Sequence, residues 1–181
     1  GSNTTSGHLH FGYRNNTQIT FAQYGDDLSQ NVDPYNLPEQ TASIVSGWLD
    51  LSQGKNIKEI KSGNETFRSN TDTDALNSTE RGEIGRALGN REFHGYIGEV
   101  IIFTDTVPAS VRRDIETYLA IKYGITMNVA TQGYTADGAT IYNNVSYDNN
   151  IAGIALNASQ CLYQPSSMSI NSDAVVRVEN P

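Results

Sequence analysis

The chain has 181 residues, a formal net charge of −8, one cysteine and a hydrophobic fraction of 37%. That length suits one domain, or one domain with an extension, and is enough to bury roughly two-thirds of the unfolded surface. An acidic balance without clustered Lys and Arg excludes a binder of phosphate backbones. The lone Cys161 excludes an intrachain disulfide and a cysteine-rich metal site, and no apolar run is long enough to insert into a membrane.

In chain order, "HLHFGYRNNTQITFAQYG" predicts a hairpin. Leu9, Phe11 and Tyr13 alternate with polar neighbours, as do Ile19 and Phe21, and "RNNT" between them is turn chemistry because Asn tolerates positive φ. "DDLSQNVDPYNLPEQ", with its two prolines, reads as a loop. "TASIVSGWLDLS" reads as a strand carrying Ile44 and a sheet-packing Trp48, and "GKNIKEIKSGNETFRSN" as a second hairpin turning at Gly63 and Asn64. "NTDTDALNSTERG" is a polar loop. "GEIGRAL" and "HGYIGEVIIFTD" read as strands joined through "GNREF". In the second of these, Ile97, Val100, Ile101, Ile102 and Phe103 form a nearly continuous apolar run, the pattern of a strand buried on both faces.

The period then changes. In "VPASVRRDIETYLAIKYG" the spacing of Val111, Ile115, Tyr118 and Leu119 is helical and predicts one α-helix at about 108–123. Pro108 fits the first turn, Lys122 suits the last turn, and Gly124 suits a left-handed stop. The apolar stripe predicts that Val111, Ile115, Tyr118, Leu119 and Ile121 bury while Arg112, Arg113, Asp114 and Glu116 stay in water. Short strand-like pieces follow: "GATIYN", "NNIAGIAL", "SMSIN" and "AVVRVE". Cys161 among them reads as a small buried hydrophobe. The domain reading is therefore a β-sandwich over 1–127, ending in the helix, and a β-rich extension over 128–181 that either completes the sandwich or starts a second domain.

"GRALGNREFHGYIGEVIIFTDTVPASVRRDIETYLAIKYGI" resembles the end of a laminin-G-like, concanavalin-A-like jelly roll of the bacterial kind. In that family a strand resembling G-x-I-x-E-V-I-I-F precedes a helix ending in a motif like YLA-x-KYG. "LHFGYRNNTQITFAQYGDDL" and "ASIVSGWLD" are similar to middle strands of the same sandwich, and "YTADGATIYNN" to the extension that follows such domains in large surface proteins of Bacteroidetes and other marine bacteria. The resemblance implies a mostly β, antiparallel sandwich of a secreted or cell-surface protein. Domains of this kind have several strands ahead of the "LHFGYR" position, where this sequence has only a short stretch, so either the sandwich is reduced, or the extension fills in, or its first strands lie outside this sequence, or another chain supplies strands by self-association at an open sheet edge.

Polysaccharide hydrolysis on such a sandwich needs two carboxylates facing one cleft, which appears on a strand as acidic residues at alternating positions. No such pattern occurs, and neither a Ser-His-Asp set nor a glycine-rich phosphate loop is present, so no catalytic residue is assigned and the expectation is a protein that is not an enzyme. His8 and His10 would share a strand face, but no third ligand can be named beside them. Calcium is the cofactor that the acidic loops suit, since it takes carboxylate, carbonyl and amide oxygens. The candidate ligands are Asn70, Asp72 and Asp74 in one loop, and Asp26, Asp27 and Asp33 at what the resemblance makes a sandwich rim. For a glycan, aromatic rings supply the floor and polar groups fix the hydroxyls. Tyr13, Arg14, Tyr24, Tyr35 and Trp48 are the candidates.

The function expected from these readings is non-catalytic adhesion or carbohydrate binding at a cell surface, calcium-dependent in one version. The partner is then a glycan or another surface protein. The alternatives are a structural subunit or spacer of an extracellular filament or multidomain adhesin, assembled by strand pairing between chains, and a remnant of a glycoside hydrolase-like sandwich.

Overall fold

The structure, a computed structural model, describes residues 9–15, 18–23, 26–31, 42–50, 52, 54–61, 64–69, 83–87, 91–130, 133–147, 151–170 and 175–181. Among these it is mostly strand with one α-helix, in small sheets of which none is closed. The chain divides into two compact units. One comprises Gly1–Leu37, Gly47–Ile57 and Arg68–Thr106, the other Pro38–Ser46, Lys58–Phe67 and Val107–Pro181.

In the first unit, β1 (His10–Asn15), β2 (Gln18–Gln23) and β3 (Asp26–Asn31) form an antiparallel sheet with β2 in the middle. The predicted hairpin is β1–β2, with Phe11 opposite Phe21. Their rings meet edge to face at 5.7 Å. Ile19, Phe21 and Leu28 are buried here. The third strand corrects the loop reading of "DDLSQN". Its only large apolar residue is Leu28, so it carries little alternation, and its order comes from the ladder to β2 and from the Thr20 hydroxyl, which donates to the Leu28 carbonyl at 3.2 Å.

β4 (Ile44–Asp50), β5 (Gly54–Lys61) and β6 (Asn64–Ser69) form a second sheet with β5 central, in the places predicted for them. On β4, a Cβ at Gly47 would stand 2.6 Å from the Phe11 ring, so only glycine lets that ring lie against the strand. β7 (Arg86–Ala87) and β8 (Arg91–Glu92) make a short antiparallel pair.

Beyond β8 the structure departs from the expected strand. Residues 93–108 lie in no helix or strand. Of the apolar run that the sequence marks for burial, Ile101 is half-buried and the rest is open to solvent. Tyr96 is 103% exposed and Ile102 78%, and Ile97, Val100 and Phe103 are each about half exposed. An apolar run records that a segment favours burial. It does not record where the covering strand comes from, and among the described residues no strand pairs with this one.

The second unit is organised by α1 (Ala109–Tyr123). Pro108 precedes it with extended backbone, and its carbonyl accepts the Arg112 N–H at 3.0 Å. Gly124 ends it at φ 66°, its N–H returned to the Ala120 carbonyl, as the left-handed stop requires. Four short antiparallel strands follow in two pairs: β9 (Tyr134–Ala136) with β10 (Ala139–Tyr142), and β11 (Ala155–Asn157) with β12 (Leu162–Gln164). β13 (Ser166–Ile170) and β14 (Val175–Glu179) close the chain as a third such pair. The two-residue turn Asp137–Gly138 has φ 48° and 74°, the geometry of a type I′ hairpin and a direct consequence of an Asp-Gly pair.

The core of this unit contains Ile44, Ile60, Ala120, Ile121, Ile125, Met127, Val129 and Tyr134. The Tyr134 hydroxyl also accepts the Met127 N–H at 3.0 Å, and its ring meets Tyr142 edge to face at 6.1 Å.

Candidate functional site

The sequence-predicted ligand residues fall in the first unit. Tyr13, on β1, is half-buried and stacks on Phe93, with ring centroids 6.3 Å apart and planes 12° from parallel. Phe93 is 43% exposed and was not singled out in sequence, because its partner lies eighty positions earlier in the chain. Arg14 follows Tyr13 where the β1–β2 register shifts, and its guanidinium lies 3.6 Å from Asp27 Oδ2 on β3. A ligand candidate and a calcium candidate are thus brought together as an exposed ion pair, which satisfies each charge with the other. Trp48 lies half-buried on β4. Asp26 begins β3, paired through its backbone with Gln23. Tyr24, Tyr35, Asp33, Asn70, Asp72 and Asp74 lie outside the described residues. Among the described residues no three His, Cys, Asp or Glu side chains form a metal-holding group.

The second unit holds what the sequence pattern concealed. The middle of α1 is buried on both its apolar and its polar sides. Arg113, Asp114, Glu116 and Thr117 are buried along with Ile115, Ala120 and Ile121, while Val111, Tyr118 and Leu119 are only half-buried. This corrects the expectation that Arg113, Asp114 and Glu116 stay wet. The helix is covered on several sides, so its polar residues reach partners in the protein in place of water.

Those partners form a closed network. Lys58 on β5 lies 2.9 Å from Glu116 and 3.3 Å from Glu65 on β6. Arg113 lies 2.8 Å from Glu65, and its Nε and Nη2 donate to the Gly133 carbonyl at 2.8 and 2.6 Å. The Ser46 hydroxyl donates to Glu116 at 3.0 Å. Two cations and two anions at these distances balance one another, which is the condition under which charges tolerate burial. Gly133 can offer its carbonyl because nothing larger fits there: its φ is 66°, and a Cβ would stand 2.9 Å from the Tyr142 carbonyl.

On the other side of α1, Asp114 accepts the Gly138 N–H at 2.9 Å and Thr117 accepts the Thr135 N–H at 2.9 Å, which fixes the β9–β10 hairpin to the helix. Asp137 then joins this hairpin to the next. Its carboxylate accepts the Ser159 hydroxyl at 2.7 Å, the Ser159 N–H at 3.1 Å and the Ala158 N–H at 3.3 Å. Those bonds, the Ser159 hydroxyl foremost, hold the Asp137 carboxyl below its ordinary value. Cys161, in the turn between β11 and β12, has φ 55° and is exposed, contrary to the buried position expected for it. The turn geometry places it outward.

Residues 111–180 match a family described as a domain of unknown function (DUF8202). The match begins inside α1 and runs through β14, so it covers the helix together with all three C-terminal hairpins. No curated protein and no solved structure matches the chain.

Proposed function

We propose that this chain is a non-catalytic adhesion module of a secreted or cell-surface protein, built on a laminin-G-like sandwich and assembled by strand pairing between copies. The observation that carries this reading is the open apolar segment 96–103. A segment of this composition that lies in no strand among the described residues gives an incoming strand apolar side-chain surface to bury. Exposure of so many apolar residues in sequence is the mark of an interaction surface.

The chain supplies a suitable donor. β14 is an edge of a two-stranded sheet, its sequence "VVRVE" favours extended structure, and Val175 and Val176 are exposed. β14 of one copy on segment 96–103 of the next is a head-to-tail contact, which propagates into a filament unless it closes as a ring. The carboxylates Glu65 and Glu116 support the non-catalytic part, since both are occupied by Lys58 and Arg113 within the protein.

Sedimentation velocity over a rising concentration series tests the reading. The expected result is growth beyond the monomer that Ile102→Lys and Val176→Lys each suppress. A monomer at every concentration would sink it.

The stacked Tyr13–Phe93 pair favours a second reading, in which the same module holds a glycan on that aromatic floor. Arrayed glycans probed with and without calcium decide it, and silence in both conditions removes it.

A further inference from the structure

The two segments that strand pairing brings together carry few charges. In 96–103, "YIGEVIIF", Glu99 is the one charged residue. In β14, "VVRVE", Arg177 is the one cation and Glu179 the one anion. Exposure alternates through the first segment. Glu99 and Ile101 are half-buried, whereas Val100 and Ile102 are open. That is the period of two of a chain with distinct faces.

β14 has distinct faces too. Val176 and Val178 stand opposite Ser169 and Ser167 of β13. Both serines are 5% exposed, and the Ser167 hydroxyl donates to the Ile121 carbonyl at 3.0 Å, so this face is turned to α1. Val175, Arg177 and Glu179 share the outer face, where Arg177 and Glu179 form an exposed ion pair.

A slip of one residue moves every side chain of a strand to the other face. Glu99 opposite Val176 or Val178 would set its carboxylate on the helix side among valines, with no cation of β14 on that face. Glu99 therefore falls in line with Val175, Arg177 or Glu179. Opposite Glu179 it meets a like charge, and opposite Val175 an apolar side chain. Opposite Arg177 it meets a guanidinium with donors enough for Glu99 and Glu179 together. The neighbours then set the direction. A parallel pairing puts Glu179 against the half-buried Ile101 and Val176 against Gly98. An antiparallel pairing puts Val175 against Ile101 and Val176 against Val100, two apolar pairs in succession.

We infer, on the basis of the strand pairing proposed above, that copies of this chain join in one antiparallel register, with Arg177 of one copy opposite Glu99 of the next. Ile102 then lies diagonal to Val176 on the same face, within reach of it. The apolar residues supply the contact, and the one charge pair selects the register.

The test is sedimentation velocity on the full chain with the two charges exchanged. Glu99→Arg and Arg177→Glu should each weaken association about tenfold, because an opposite-charge pair becomes a like-charge pair. The double exchange should restore association to within about twofold of the parent, the signature of two residues that act as a pair. A second measurement uses cysteines in a Cys161→Ser background. Copies carrying Val176→Cys, mixed with copies carrying Val100→Cys, should form disulfide-linked pairs, and mixed with copies carrying Gly98→Cys they should not. If the parent associates but the double exchange is no better than the single changes, or the disulfide forms only through Gly98→Cys, the register is overturned and strand pairing stands. A parent that stays monomeric at every concentration overturns both.

Discussion

Asp137 sits at the first position of a two-residue turn and receives three hydrogen bonds from the neighbouring hairpin. Because its folded-state carboxyl titrates below the ordinary value of 3.8, its contribution is complete above about pH 5 and is lost as pH falls through the lowered value. Urea midpoints of the parent and of Asp137→Asn should therefore differ at pH 6 and converge toward pH 3, and an equal difference at both pH values would contradict this. The turn itself was legible, since Asp-Gly is a strong hairpin signal. The acceptor role was not, because Ser159 lies twenty-two positions away and nothing in local pattern joins them. Met127 makes the complementary point about burial. It follows the helix in a stretch with no clear period, yet it is 0% exposed in the core, so Met127→Ala should lower the unfolding free energy by about 2–5 kcal/mol in a denaturant titration.

At the scale of elements, α1 was the most legible feature and the most misleading. Its start, its stop and its length follow from Pro108, Lys122, Gly124 and the spacing of the apolar residues. Which faces it buries did not follow. Hydropathy assumes that charged residues seek water, and here Arg113 and Glu116 meet Glu65 and Lys58 in its place. The consequence is measurable. Arg113→Met leaves two buried carboxylates facing one lysine and should cost about 3–5 kcal/mol. Replacing Lys58, Glu65, Arg113 and Glu116 together by apolar residues should cost less than the sum of the single changes, by a cycle of equilibrium unfolding experiments. Leu119→Ala should cost clearly less than Ile121→Ala, because Leu119 is half-buried and Ile121 is core. Equal losses would place the helix differently. β3 was missed for the opposite reason: its sequence carries little apolar signal, and backbone pairing with β2 holds it in place.

For the whole molecule, the sequence indicated a β-rich chain with one helix, and the structure has that composition, distributed over two compact units. The grouping of α1 with the C-terminal hairpins rests on contacts such as Asp114 to Gly138 and the Ser167 hydroxyl to the Ile121 carbonyl, which join residues far apart in sequence. The family match, which starts inside the helix, follows the same grouping. The segment 96–103 is where local pattern and three-dimensional surroundings diverge most, since an apolar strand sequence stands open. The strand pairing between copies proposed above would reconcile the two. Hydrogen exchange across that segment, measured at low and at high protein concentration, is the most direct test. Fast exchange of the amides in 96–103 is expected in the dilute monomer, with protection of those amides and of β14 as the copies associate. Protection of 96–103 that is already full in the dilute monomer would contradict it.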